Sequence, residues 1–138
     1  MKKHPDVLWF VDAVSTLGGT KIEVDKLGID ICLASTQKAI ALPPGLSVMS
    51  VSSRCYKKAE SVAGRGYYFD VLELKKSFDV DETPYTPSIP HLYALKKQLE
   101  RIEEEGLENR FNRHKEMAKY TSEWAKKNGF TMFSEEGH

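Results

Sequence analysis

The sequence predicts an α/β fold in which a mostly parallel sheet is followed by two long helices. Short apolar runs separated by turn residues fill its first half, and apolar residues at helical spacing fill its second. The length of 138 residues suits one ordinary domain and is too short for two. No internal repeat or low-complexity segment interrupts this pattern.

The elements follow in chain order. Val7–Val11 is continuously apolar and closed by Asp12, as expected of a central strand covered on both faces. Leu17-Gly18-Gly19 is a turn, and 23–27 makes one helical turn stopped by Gly28. Ile31–Ala34 reads as a second buried strand, Leu42–Gly45 as a stiff proline loop, and Leu46–Val51 as a third strand. Ser53–Val62 is helical with Gly64 just past its end, whereas 66–82 carries no decisive pattern. Thr83–Pro87 is extended, because a residue before proline avoids the α region.

From Ser88 the period becomes helical. Ser88 is placed to cap, Pro90 fits the first turn, and Ile89, Leu92, Leu95, Leu99 and Ile102 make one stripe ended by Gly106. A second helix runs over 107–128 with Phe111, Met117, Ala118, Thr121 and Trp124 facing inward, and Gly129 stops it. Phe130–Phe133 looks like a strand beginning. A strand at each end without neighbours suggests that both ends were cut from something larger.

Charge and cysteine content narrow the function. Twenty Lys and Arg balance twenty Asp and Glu, which removes the electrostatic case for a nucleic acid or anionic membrane partner. The stretch 31–53 nearly reaches spanning length but is broken by Gln37, Pro43, Pro44, Gly45 and serines. The N-terminus is no signal peptide, since Pro5 and Asp6 interrupt it. Cys32 and Cys55 make no disulfide framework; Cys32 reads as a buried free thiol, in keeping with a cytoplasmic location.

Two residues stand out chemically. Asp12 ends an apolar strand, and in open α/β sheets ligands bind beyond the carboxyl ends of strands. The same residue could simply close the following turn with its own side chain. Lys38 is the sole charge between Asp30 and Arg54. A buried lysine loses its proton more readily and becomes a nucleophile able to form a Schiff base, while a surface lysine would only snorkel from a loop. Taken together, an acid and an amine beyond two neighbouring strands suit pyridoxal 5'-phosphate, whose ring nitrogen needs an acid and whose aldehyde needs an amine.

Three ordered segments then carry a family likeness: VDAVSTLGG, GIDICLASTQKAIALPPGLSVMSVS and TPYTPSIPHLYALKKQLERIEEEGLENRFNRH. The chain resembles the class V aminotransferases of the fold-type-I pyridoxal phosphate superfamily, in the alanine–glyoxylate and serine–pyruvate branch. The resemblance implies that the chain is part of the large cofactor-binding domain. Residues 1–105 would be the C-terminal part of that domain, and 106–138 the connecting helix and the start of a small domain. It implies that Lys38 forms the internal aldimine and shuttles the proton, that Asp12 pairs with the pyridine nitrogen and that Val14 packs on the ring. Gln37 would contact the phosphate, and Tyr85 and Ser88 would reach the phosphate of the other subunit in a homodimer. Family members often have Thr at the Ser88 position, and serine keeps the hydroxyl.

Substrates implied are a small amino acid and a 2-oxo acid of the glyoxylate or pyruvate type. The family's glycine-rich phosphate loop, its ring-stacking aromatic residue and its substrate-binding arginine have no counterpart here, so a fragment inactive by itself is expected. A related lyase of the cysteine desulfurase type and an inert folded fragment are the alternatives. Desulfurase relatives usually place His before the lysine, where this chain has Gln37.

The remaining polar residues have plainer readings. His91 and His114 lack partners at zinc-ligand spacing and read as surface or helix-contact residues. The run 100–105 reads as a solvated charged face, as do Lys96, Lys97, Lys126 and Lys127, and Trp9 and Trp124 read as core. Arg65 is placed either to meet a phosphate or carboxylate ligand or to serve only the fold.

Overall fold

A computed structural model of the protein describes residues 4–134. Three strands, β1 (Phe10–Asp12), β2 (Ile31–Ser35) and β3 (Ser47–Val51), form one sheet in the order β1-β2-β3. Five helices accompany them: α1 (Val24–Leu27), α2 (Ser53–Glu60), α3 (Val71–Phe78), α4 (Ile89–Glu105) and α5 (Leu107–Lys127). The α/β class and the two long helices at the end agree with the sequence pattern.

Strand direction departs from it. β1 pairs parallel with β2, matching Phe10 with Ile31 and Asp12 with Leu33, but β3 runs antiparallel to β2, matching Ile31 with Val51 and Ser35 with Ser47. The reason lies in the connection. A parallel return needs a crossover, usually a helix, and the proline-rich stretch 36–46 forms none. It turns the chain straight back, so the sheet is mixed rather than mostly parallel among the described residues.

Among the described residues one face of this sheet is well covered and the other only in part. Cys32 and Ala34 of β2 are buried, and Cys32 packs with Ala13 and Ile29. Trp9, Val11, Leu17, Ile22 and Val24 close around that cluster, so Trp9 is core as expected. By the two-residue period the opposite face carries Phe10, Asp12, Ile31, Leu33, Met49 and Val51. There Phe10 is 56% exposed and Met49 43%. The apolar runs anticipated cover on both sides, and these residues supply it well on only one.

Local chemistry explains the ends of the helices. Gly28 closes α1 with φ 71°, a left-handed value that costs glycine nothing. Ser52 caps α2 by accepting a hydrogen bond from the Cys55 N–H at 3.1 Å. Asp70 caps α3, accepting from the Leu72 N–H at 3.0 Å, within the stretch the sequence left unassigned. Arg65 joins the two helices by donating to Asp70 and to the Ala59 and Val62 carbonyls. That is a structural role, and it holds the Asp70 carboxyl below its ordinary pKa.

Three expectations in the last third are corrected. Ile102 of the α4 stripe is buried, but in α5 Met117, Ala118, Thr121 and Trp124 are exposed, and the buried residue is Arg110. Trp124, 54% exposed, stacks on Phe130 instead of entering a core. Phe130–Phe133 forms no strand, and among the described residues no strand pairs with it.

Candidate cofactor site

Asp12 is the last residue of β1, and Lys38 lies three positions beyond the end of β2. Because these strands are adjacent and parallel, both residues sit at the same rim of the sheet, as the sequence requires for a shared ligand. One Asp12 oxygen accepts the Val14 N–H at 2.9 Å, closing the turn, while Oδ2 accepts no hydrogen bond among the described residues. The turn-closing reading of this residue therefore holds, and its second oxygen is left open to a ligand. Its side chain braces the turn through one oxygen and presents the other outward.

The turn after Asp12 is well tied. Ala13, fully buried, extends the ladder by donating to the Leu33 carbonyl at 2.8 Å. Its own carbonyl accepts from the N–H groups of Thr16 and Leu17. Val14 is half-buried just past it.

Lys38 stands on an equally ordered loop. Thr36, fully buried, donates through its hydroxyl to the Pro43 carbonyl at 2.9 Å, and its carbonyl accepts the Leu42 N–H at 2.9 Å. Inside that ring Ala41 donates to the Lys38 carbonyl at 2.8 Å and takes φ 64°. Ile40 is buried beneath. The Lys38 ammonium is exposed and makes no hydrogen bond or ion pair among the described residues, and neighbouring Gln37 is exposed too. The burial that would make Lys38 a ready nucleophile is thus not supplied by the described residues. What the chain supplies is the floor on which Lys38 and Asp12 stand.

The two loops touch each other and α5. A Cβ on Gly19 would lie 3.2 Å from the Ala39 Cβ and 3.6 Å from the His114 ring. Arg110, 4% exposed, donates from Nε to the Gly18 carbonyl at 2.7 Å and from a terminal nitrogen to the Ala39 carbonyl. Its other terminal nitrogen pairs with Glu105 at 2.9 Å, and Arg113 pairs with the same carboxylate. Arg113 first, then Arg110, holds the Glu105 carboxyl down at about 2. Glu105 is therefore no mere member of a solvated charged face. Burial, aided by Arg113 and Arg110, lowers the His114 pKa and favours its neutral ring.

Tyr85 and Ser88 lie at and before the start of α4. The Tyr85 hydroxyl donates to the Tyr67 carbonyl at 3.0 Å, and its ring stacks on Tyr68 at 4.4 Å. Burial is the main cause of its raised pKa, with Tyr67 and Tyr68 adding to it. Ser88 occupies the N-cap position of α4 but makes no capping bond; its hydroxyl lies 2.8 Å from His91 Nδ1. The His91 ring in turn presses on Gly45, where a Cβ would come within 2.7 Å of Nε2. Only glycine allows that approach, and it seats the start of α4 against the loop that follows Lys38.

At the opposite end of the strands Asp30 anchors the sheet. It is 3% exposed and accepts from the Trp9 N–H at 2.8 Å, the Ser52 hydroxyl at 2.7 Å and the Arg54 guanidinium. Arg54 also donates to the Pro5 and Val7 carbonyls. Its guanidinium holds the Asp30 carboxyl far below the usual carboxylate range, against the opposing effect of burial. Cys32 and Cys55 are free and buried, and burial raises both thiols.

The donor set fits pyridoxal phosphate in kind. An amine without a partner, a carboxylate with one open oxygen and the exposed amide of Gln37 share one rim. Ser35, ending β2 beside them, has a buried hydroxyl with no hydrogen-bond partner. Among the described residues no cluster of three or more His, Cys, Asp or Glu is placed to hold a metal, and no helix is long and apolar enough to cross a membrane.

Sequence reasoning passed over Arg110 and the His91–Gly45 contact, and it read Glu105 only as part of a solvated face. The signal for Arg110 was present only as an arginine one helical turn before His114. Nothing local distinguishes it from the other cations of α5, because its partners are backbone carbonyls far away in sequence.

Comparison with known proteins places this geometry in context. A family model described as aminotransferase class-V matches residues 1–136. An uncharacterized aminotransferase of Methanocaldococcus jannaschii is 41% identical over 136 residues, covering 97% of this chain and 35% of the relative. A serine–glyoxylate aminotransferase of Methylorubrum extorquens is 41% identical over 116 residues, covering 80% of this chain and 29% of the relative. The crystal structure of an alanine–glyoxylate aminotransferase from Nostoc sp. superposes with a TM-score of 0.86 at 31% identity, over 94% of this chain and 35% of that one. A cysteine desulfurase from Thermococcus onnurineus shares the fold at 21% identity and a TM-score of 0.68, over 98% of this chain and 35% of that one. The chain spans about a third of the length of the curated relatives it matches.

Proposed function

The chain belongs to the class-V aminotransferase family, and from that premise we propose that it carries the cofactor-anchoring part of a pyridoxal phosphate-dependent aminotransferase. The reaction moves an amino group from a small amino acid of the alanine or serine type to a 2-oxo acid of the glyoxylate or pyruvate type. The observation that carries this is the placement of Asp12 and Lys38 beyond adjacent parallel strands, on loops fixed to one another.

Pyridoxal phosphate, when bound, supplies a ring that accepts electrons from the substrate carbon as its proton leaves. The chain's residues do the rest. Lys38 Nζ would hold the cofactor at its aldehyde and would be the base that takes and returns the substrate proton. The open oxygen of Asp12 keeps a proton on the ring nitrogen, since a carboxylate favours the charged pyridinium. Val14 would pack on the ring, and Gln37 would donate to the phosphate.

Tyr85 and Ser88 serve the phosphate held by a second subunit of a homodimer. Ser88 already shares its hydroxyl with His91, so its free lone pair or proton is the part available to that ligand. Residues 1–105 act as part of the large cofactor domain, and 106–138 lead toward a small domain. Two free buried thiols accord with a cytoplasmic protein. Gln37 before the lysine favours transamination over a desulfurase reaction.

Borohydride reduction with pyridoxal phosphate, followed by peptide mass mapping, tests this reading. Stable label on Lys38 is expected, and Lys38→Ala should abolish it. A folded sample whose label falls on other lysines, or a Lys38→Ala enzyme with full activity, ends the proposal.

A further inference from the structure

We infer that Arg110 is a positioning residue that holds the loops of Asp12 and Lys38 at a fixed spacing by clamping the carbonyls of Gly18 and Ala39. The inference rests on the proposed cofactor site and extends it to a residue on α5 that contacts neither the cofactor nor the substrate.

Three observations converge. First, the Arg110 fork reaches two different loops, 92 and 71 residues away in sequence. One of its acceptors is the carbonyl next to Lys38, and the other lies in the turn that Asp12 begins. Second, Arg110 is buried, so these bonds form out of water, where an unmet carbonyl or cation is costly. Third, the guanidinium is oriented from behind. Glu105 pairs with its remaining nitrogen and is itself held by Arg113, which leaves the planar fork one way to face.

The physical need is plain. One rigid aromatic cofactor must meet an amine and a carboxylate on separate loops. Each loop is internally tied, as described, but their mutual distance depends on what crosses between them. Close packing of Gly19 on Ala39 sets the approach, and Arg110 supplies the polar crosslink. Lysine has a single point of charge and cannot bond both carbonyls and Glu105 in the same geometry.

The test compares Arg110→Met, Arg110→Lys and Glu105→Gln in the full chain. Amide exchange without cofactor is expected to quicken about tenfold or more in 13–20 and 36–42 together in Arg110→Met, with β2 and the Asp30–Arg54 corner unchanged. Arg110→Lys and Glu105→Gln should show smaller changes in the same two segments. The concentration of pyridoxal phosphate giving half-maximal borohydride label at Lys38 should rise about tenfold in Arg110→Met at unchanged maximal label, and Arg110→Lys should recover part of it.

Wild-type exchange in both segments, or loss of protection throughout the sheet in all three variants, overturns the clamp. If Arg110→Met does not fold, Arg110→Lys and Glu105→Gln decide on the same criteria. Should wild-type protein show the expected exchange dependence yet no label at Lys38, the aminotransferase reading fails, and the assignment to cofactor positioning falls with it. Should Lys38 label with equal affinity in every variant, the positioning role fails while the aminotransferase reading stands.

Discussion

Replacing Asp30 by Asn would remove a charge from the best-connected corner of the sheet while keeping its volume. Asp30 accepts hydrogen bonds from the Trp9 N–H, the Ser52 hydroxyl and the Arg54 guanidinium. Breaking a buried ion pair typically costs about 3–5 kcal/mol. Arg54 is 44% exposed and can return to water, and Asn still accepts one hydrogen bond, so the cost falls somewhat below that range, about 2–3 kcal/mol. Against a total stability of about 5–15 kcal/mol this is large.

The pH dependence has a fixed sign. Native Asp30 has a depressed pKa, so its contribution is complete above the ordinary aspartate value, 3.8 in the unfolded chain, and declines as pH falls below it toward the native value. Urea titrations from pH 7 to pH 3 measure this. Asp30→Asn should lose about 2–3 kcal/mol at pH 7, and the gap to wild type should narrow below pH 4. A loss under about 0.5 kcal/mol at pH 7, the size of an ordinary surface change, or a gap that widens in acid, would refute the role given to this corner.

Other outcomes follow from the same geometry. Gly45→Ala drives a methyl into the His91 ring, and overpacking of this kind costs about 1–3 kcal/mol by thermal melt. His91→Ala should relieve the part of that cost that comes from the contact, leaving the strain of alanine at φ 153°, and strict additivity would sink the contact. The Glu105 carboxyl titrates at about 2, below its ordinary 4.5, so the wild-type advantage over Glu105→Gln should be full above pH 5 and shrink as pH falls through 4 toward 2. A difference independent of pH in denaturant melts would contradict the Arg110–Glu105–Arg113 arrangement.

What the sequence reveals here is what period and punctuation can encode. β2, α4 and the stop at Gly28 are legible because hydrophobic spacing and glycine act locally. α3 carried a signal in Asp70 followed by Glu73, a capping pattern just before an apolar run, that the mixed composition around it obscured. The direction of β3 was readable only from the length and prolines of the preceding loop. α5 misleads because most of its apolar residues lie exposed, Phe111 being half-buried, while the residue that burrows in is charged. Its reward is hydrogen bonding to distant carbonyls, which no window of neighbours displays. Asp12 and Lys38 stand out as candidates because strand ends mark a ligand's rim, but the exposure of Lys38 depends on which surfaces surround it in space.

The junction of the last two helices has a mechanical corollary. Gly106 alone, at φ 79°, separates α4 from α5, and the charges of Glu105, Arg110 and Arg113 straddle it. With 21 residues, α5 is about 30 Å long, a rigid rod on a one-residue pivot. Its short arm ends at the backbone beside Lys38. A change in the angle of that rod about Gly106 would act first on the carbonyls of Gly18 and Ala39, through Arg110.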